Sequence, residues 1–293
     1  MNDLKDFIEK KRPNLSASSI TTYASILKNL FKKVFNTDDI DIKKFDNTEQ
    51  ILNFLKDVPS SKRKTILSSL VIITDKKAYR DLMLEDVRNY NKEMDKQEKS
   101  DTQEESWVNS NKVKEVYDEL KKTAELLYKK KTLSTSDMQQ IQNYIIVSLL
   151  GGIYIPPRRS KDFVDFKINS INKTADNFLE KNKLIFNSYK TAKTYGQQIV
   201  DIPIQLKNIL QKWIKINPTD YLLFDSNMNA LSSVKLNQRL NKIFEKKVGV
   251  NQLRHTFLTD KYKKTSQESK SLENDMKSMG SSKNMADIYI KLD

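Results

Sequence analysis

The chain has no cysteine and a single histidine, His255, in 293 residues. The missing thiols exclude disulfides, thiolate zinc sites and cysteine nucleophiles, and one imidazole makes a zinc site of any kind a poor expectation. Long apolar runs are missing too. The longest, IIVSLLGGIYI at 145–155, is interrupted by two glycines and falls short of the ~20 residues a membrane span requires. The N-terminal MNDLKDFIEKKRP has no apolar signal-peptide core, and its acids come too early for a transit peptide. These absences together lead us to expect a soluble, intracellular protein.

What the chain does have is basic charge: 52 Lys and Arg against 38 Asp and Glu, a net +14. That excess favours a polyanionic partner, most often nucleic acid, held through phosphate contacts and counterion release. The competing reading is that a Lys-, Asn- and Ile-rich composition reflects an AT-rich genome, with lysines merely solvating the surface. Charge alone does not choose between them.

The least apolar stretch, NYNKEMDKQEKSDTQEE at 89–105, reads as a solvated helix end followed by a linker. It suggests a domain over 1–90, a linker over 91–105 and a second domain over 106–293. The first domain reads as all-helical. Ser16 or Ser18 can cap a helix carrying Ile20, Tyr23, Leu27, Leu30, Phe31 and Val34 at three- and four-residue spacing. Further helices are expected over Thr48–Leu55, from Ser60 or Ser61 through SSKRKTILSSLVIIT, and over Lys76–Tyr90. The third starts with Lys62, Arg63 and Lys64, where helix-terminal amides and cations together suit a phosphate, making these the candidate DNA contacts.

In the second domain, helices are expected over Lys112–Lys130 and Ser136–Tyr154. Then FVDFKI, KLIFNSY and QQIVDIPI read as a three-stranded antiparallel patch with a hairpin at Lys190–Gly196. Helices resume over Ile204–Ile216, Ser232–Lys247, Asn251–Lys264, Ser266–Met279 and Ser282–Leu292. The fold class is mainly α with a small antiparallel β-sheet.

Four features in this domain carry chemistry. PPRRSKDFVDF places Arg158 and Arg159 after two prolines, with Asp162 three residues beyond Arg159, on the face that could hold its guanidinium. The hairpin supplies Lys190 and Lys193. QLRHTF contains Arg254 beside His255, and MGSSKNMADIYIK ends near Tyr289. Taken singly, each has an ordinary reading: a surface charge, a solvated hairpin lysine, an ion-pair partner, a packed core tyrosine.

In this order they resemble the tyrosine recombinases, the phage integrase family. LRHTF is the strongest match, since that family's second box is commonly written His-x-Leu-Arg-His-Thr-Phe. MGSSKNMADIYIK resembles the Leu-Gly-His-Ser box running into the nucleophilic tyrosine, and KTAKTYGQQIVDIP resembles the lysine hairpin. The resemblance covers most of 107–293, and more weakly the N-terminal third, which would be the core-binding domain. It implies DNA strand cleavage and rejoining through a 3′-phosphotyrosyl link, with Tyr289 as nucleophile, Arg159 and Arg254 clamping the phosphate and Lys190 as general acid. Arg158 and Lys193 are the alternatives in their respective roles. Such chemistry uses an arginine's planar fork on the developing phosphoryl charge and needs no metal, cofactor or small-molecule substrate.

Two positions depart from the family. Asn251 stands where a histidine is usual, three residues before the arginine, and Ser281 stands where His or Trp follows the glycine. Neither accepts a proton at neutral pH. His255, by this register, is a packing or supporting residue, as is Asp162. The implied partner is double-stranded DNA, with a homo-oligomer, a tetramer, assembling on it. The implied source is a virus or mobile element, placing the protein in a host nucleus or cytoplasm wherever the target DNA lies. Only four residues follow Tyr289, too few for a helix that docks into a neighbour. That keeps open a type IB-like topoisomerase, and the two departures keep open a DNA-binding relative without catalysis.

Overall fold

A computed structural model describes residues 2–291. The chain divides into two compact units, Met1–Lys99 and Ser100–Asp293. In the first, α1 (Asn2–Lys11), α2 (Ala17–Phe35), α3 (Thr48–Leu55), α4 (Ser60–Thr74) and α5 (Lys77–Asp95) surround one core. Ser16 starts α2, its hydroxyl accepting the Ser19 amide, and Asn36 ends it in a left-handed conformation. Ile20, Ala24, Leu27 and Phe31 are buried along one face, as their spacing requires. Helix α1 was not expected from the sequence. Leu4 and Ile8, one turn apart, bury against the core, and packing supplies the stability a ten-residue helix lacks alone. Tyr79 is buried on α5, and its hydroxyl donates to the Phe45 carbonyl at 2.8 Å.

The charged stretch expected as a linker is largely helical. Helix α5 continues to Asp95, and α6 (Asp101–Ser106) begins with a capping box in which Ser100 and Gln103 each serve the other's backbone amide. Polar residues alone did not distinguish solvated helix from coil.

The second unit continues with α7 (Ser110–Leu127), α8 (Thr135–Leu150) and α9 (Ser160–Val164). Helix α8 stops at Leu150, four residues before the expected end, because Gly152 takes φ +73°. Strands β1 (Phe178–Glu180) and β2 (Lys183–Phe186) follow, then α10 (Ala192–Tyr195) and β3 (Gln198–Asp201). The sheet is antiparallel in the order β1-β2-β3, with Phe178 opposite Ile185 and Leu184 opposite Val200. The expected first strand, FVDFKI, is not one. Phe163, Val164 and Phe166 are all buried rather than alternating, and Ser160–Val164 coils as α9 while Phe178–Glu180 takes the strand position.

Helices α11 (Ile204–Ile214) and α12 (Ser233–Ile243) pack on α8 and α9 respectively. Trp213 stacks on Phe224 with centroids 5.7 Å apart, and Gln142 both donates to and accepts from the Phe224 backbone. Next comes α13 (Val250–Ser278), a single helix of 29 residues where two were expected. No glycine or proline intervenes before Gly280, which takes φ +70° while the Ser281 amide reaches back to the Met276 carbonyl at 2.8 Å. The helix expected over Ser282–Leu292 is reduced to a 3₁₀ turn at Lys283–Met285 and one turn, α14 (Ala286–Tyr289). Leu292, the end of that expectation, and Asp293 lie outside the described residues. The mainly helical class with one small antiparallel sheet is the one observed. Among the described residues no helix is long and apolar enough to cross a membrane.

Candidate active site

Pro156 and Pro157 carry the chain from α8 into α9 in an extended conformation, and Arg159 sits at the N-cap of α9. Asp162, on the first turn, is buried. The residue it holds is Arg158, not Arg159 as the three-residue spacing had suggested. Arg158 Nε donates to Asp162 Oδ2 at 2.8 Å across four residues, and its guanidinium lies 3.9 Å above the Phe186 ring. The second carboxylate oxygen, Oδ1, is buried without a hydrogen-bond partner.

Arg254, in the second turn of α13, completes the group. Burial lowers its pKa, and repulsion from Arg159 lowers it further, while Asp162 counteracts and Arg158 adds to the repulsion. Burial likewise raises the Asp162 pKa, against the attraction of Arg158, Arg159 and Arg254. Arg158 bonds the carboxylate while Arg159 and Arg254 act on it through charge alone, a local excess of two positive charges in a partly desolvated place. An anion with several oxygens is what such a place lacks.

The backbone explains how these residues meet. A Cβ on Gly152 would stand 2.6 Å from the Phe257 ring, so its absence lets the α8–α9 connection lie against α13 one turn after Arg254. Helix α13 starts where Asn237 of α12 accepts the Val250 amide at 3.0 Å. Asn251 and His255 are exposed, one turn apart and flanking Arg254 on the helix.

The hairpin base is fixed by Asn177. Its carbonyl accepts the amides of Asn187 and Ser188, and its Nδ2 donates to the Asp162 and Ser188 carbonyls. Tyr189 packs near Arg158, 5.5 Å from ring centre to guanidinium, and donates to the Gly196 carbonyl. Lys190, the next residue, is exposed, and Lys193, on α10, is exposed as well. Ser281 is half-buried beyond the end of α13. Tyr289 is 58% exposed on α14. The structure thus brings Arg158, Arg159, Asp162 and Arg254 within electrostatic reach of one another, with Tyr189, the residue before Lys190, near Arg158. Among the described residues, no group of three or more His, Asp or Glu could hold a metal ion.

The candidate DNA contacts of the first unit separate. Arg63 turns inward, donating to both oxygens of buried Asp86 at 2.8 and 2.7 Å and to the Lys56 carbonyl at 3.2 Å. Its guanidinium is thus committed to an ion pair within the first unit. Lys64 Nζ lies over the Tyr90 ring, and Lys62 alone of the three is fully in solvent. Sequence reasoning missed Asn177 and Asn237, whose only signal is an amide beside a turn or a helix start.

No family model matches the chain, and no curated protein does. Several solved structures are similar to it. A structure of lambda integrase bound to DNA is 15% identical, with 91% of this chain and 88% of that one covered and a TM-score of 0.49. A lambda integrase tetramer bound to a Holliday junction is 14% identical over 89% and 70%, at 0.45. XerA recombinase is 14% identical over 88% and 83%, at 0.37. At such identities the roles of individual residues rest on the chain's own geometry.

Proposed function

We propose that the chain breaks and rejoins DNA strands as a tyrosine recombinase does. The observation that carries this reading is the gathering of Arg158, Arg159 and Arg254 about the half-satisfied Asp162 carboxylate. A backbone phosphate entering the group, with one negative charge, offsets half of the excess. As the pentacoordinate transition state forms, the arginines meet the charge that develops on its nonbridging oxygens. Arg254 and Arg159 contact the phosphate, and Arg158, fixed by Asp162 and Phe186, backs them.

The Tyr289 hydroxyl oxygen bonds to phosphorus, its proton passing to solvent because Asn251 accepts none, and the bond from phosphorus to O5′ breaks. Lys190 gives its proton to the departing O5′. A 5′-hydroxyl then attacks the phosphotyrosine and reverses both changes. Double-stranded DNA is the substrate, and an assembly of several copies on it would exchange strands between duplexes.

A second reading has its own observation in favour. With Asn251 and Ser281 in place of proton-handling residues, and Tyr289 exposed on a single helical turn, the chain would bind DNA without cutting it. Incubation with nicked suicide duplexes decides between them. A covalent adduct from the unaltered protein, absent with Tyr289→Phe, is expected. No adduct across a panel of duplexes, with binding retained, leaves the second reading.

A further inference from the structure

The first half of α13 is held from two sides. On one side is the Gly152 approach to Phe257. On the other runs the stretch 106–110, the start of the second unit's chain. Ser106 Oγ bonds Gln252 Oε1 at 3.3 Å, Thr256 Oγ1 donates to the Val108 carbonyl at 2.6 Å, and Asp260 accepts both the Ser110 amide at 2.9 Å and its hydroxyl. Lys246, just before α13, donates to the Trp107 carbonyl at 2.9 Å. Gln252, Thr256 and Asp260 are spaced by four, so these contacts fall along one stripe of α13. Thr256 and Gln252 are buried beneath the stretch, and Val108 is buried with them.

Arg254 points the other way, about 200° round the helix from Gln252 at 100° per residue. A helix clamped along one stripe presents the opposite face at a fixed distance and rotation. An arginine within electrostatic reach of two others needs that support, because repulsion from Arg159 and Arg158 pushes it outward.

We propose that residues 106–110 form a strap that positions Arg254 for an incoming phosphate, with Thr256 and Asp260 as the positioning residues. This rests on Arg254 as a phosphate ligand; it does not require that the chain cut DNA. The strap acts through helix placement, and none of its residues touches the phosphate.

The test uses the full chain, with inorganic phosphate as probe and the shift in thermal midpoint as readout. Arg254→Ala is expected to abolish the phosphate-dependent shift. Thr256→Val and Asp260→Ala should weaken phosphate about tenfold or more, the scale of a misplaced but intact contact group. Thr256→Ser and Asp260→Asn, which keep the donor and the acceptor, should restore it. Should Thr256→Val fail to fold, the Asp260 pair carries the same comparison.

On DNA, the same variants should lower the rate of adduct formation more than duplex affinity. Loss of the phosphate shift in Thr256→Val, with no adduct from any form, would leave the strap standing and remove the cleavage reading. Phosphate bound equally well by Thr256→Val and Asp260→Ala overturns the strap, as does the absence of any Arg254-dependent shift in the unaltered chain.

Discussion

The two units each bury an Arg–Asp pair, and the two pairs are built to opposite ends. Arg63 and Asp86 are matched: both carboxylate oxygens are taken by one guanidinium, whose remaining nitrogen reaches a main-chain carbonyl. Arg158 and Asp162 are mismatched: one oxygen is used, the other is idle, and two more arginines act on the same carboxylate through charge alone. A closed pair has nothing left to offer a ligand, so its value is to the fold. An open one is incomplete until an anion arrives, and its value is to binding. Residue type and burial are alike in both; satisfaction separates them.

The comparison breaks first at Arg254. If the open cluster exists for a phosphate, Arg254→Ala should lower the single-turnover rate of adduct formation by about 10²–10³, as loss of one transition-state donor does, and leave the urea midpoint no lower. A large fall in stability would make the cluster structural after all.

Next is the closed pair. Arg63→Ala leaves Asp86 buried and uncompensated, and should cost about 3–5 kcal/mol in denaturant unfolding of the first unit. Replacing both with apolar residues of similar volume should recover most of it. Near-neutrality of the single variant would erase the distinction drawn here.

The smallest effect is on pH dependence. Burial raises the Asp162 pKa, so the folded chain keeps that proton to higher pH than the unfolded chain. Its contribution therefore favours folding at low pH and is lost as pH rises past the ordinary value of 3.8. Asp137 is the reverse: Lys130 and the Ser134 amide and hydroxyl hold it down to about 2, so its contribution is present above 3.8 and lost as pH falls toward 2. Urea midpoints measured across the acid range should show Asp162→Asn and Asp137→Asn removing slopes of opposite sign. Slopes of the same sign would contradict the assignment of Asp162 as the strained carboxylate.

Much of the fold was legible in the sequence where local chemistry dictates it. Ser16, Asn47, Asn109, Ser134 and Ser232 cap their helices with their own side chains, and the apolar spacing behind them is regular. FVDFKI misled because Val164, Phe166 and Ile168 alternate with Asp165 and Lys167 as strand residues do, while Ser160–Val164 coils as a helix. The break expected within α13 came from a polar, lysine-rich stretch, yet such residues are compatible with helix when nothing interrupts the backbone. The motif around Arg254 singled out a residue that lies within electrostatic reach of Arg158, Arg159 and Asp162. Choosing between Arg158 and Arg159 was beyond the sequence. Spacings of three and four share a helix face, and which arginine bonds the carboxylate is settled only in the folded turn. The contacts of 106–110 with α13 join residues about 150 apart in the chain, which no local pattern announces.

Helix α13 does more than carry an arginine. From Arg254 to Ser278 it rises about 36 Å, and beyond it the tail folds back far enough for Lys283 to bond Ser269. After Asp260 the rod is mostly exposed until Met276, which is buried near its far end. It is a lever with its fulcrum at the arginine cluster. A tilt of about 5° at the gripped end sweeps the far end through about 3 Å, the length of a hydrogen bond. Whatever shifts the grip by a fraction of an ångström is thereby magnified at the end that leads to Tyr289.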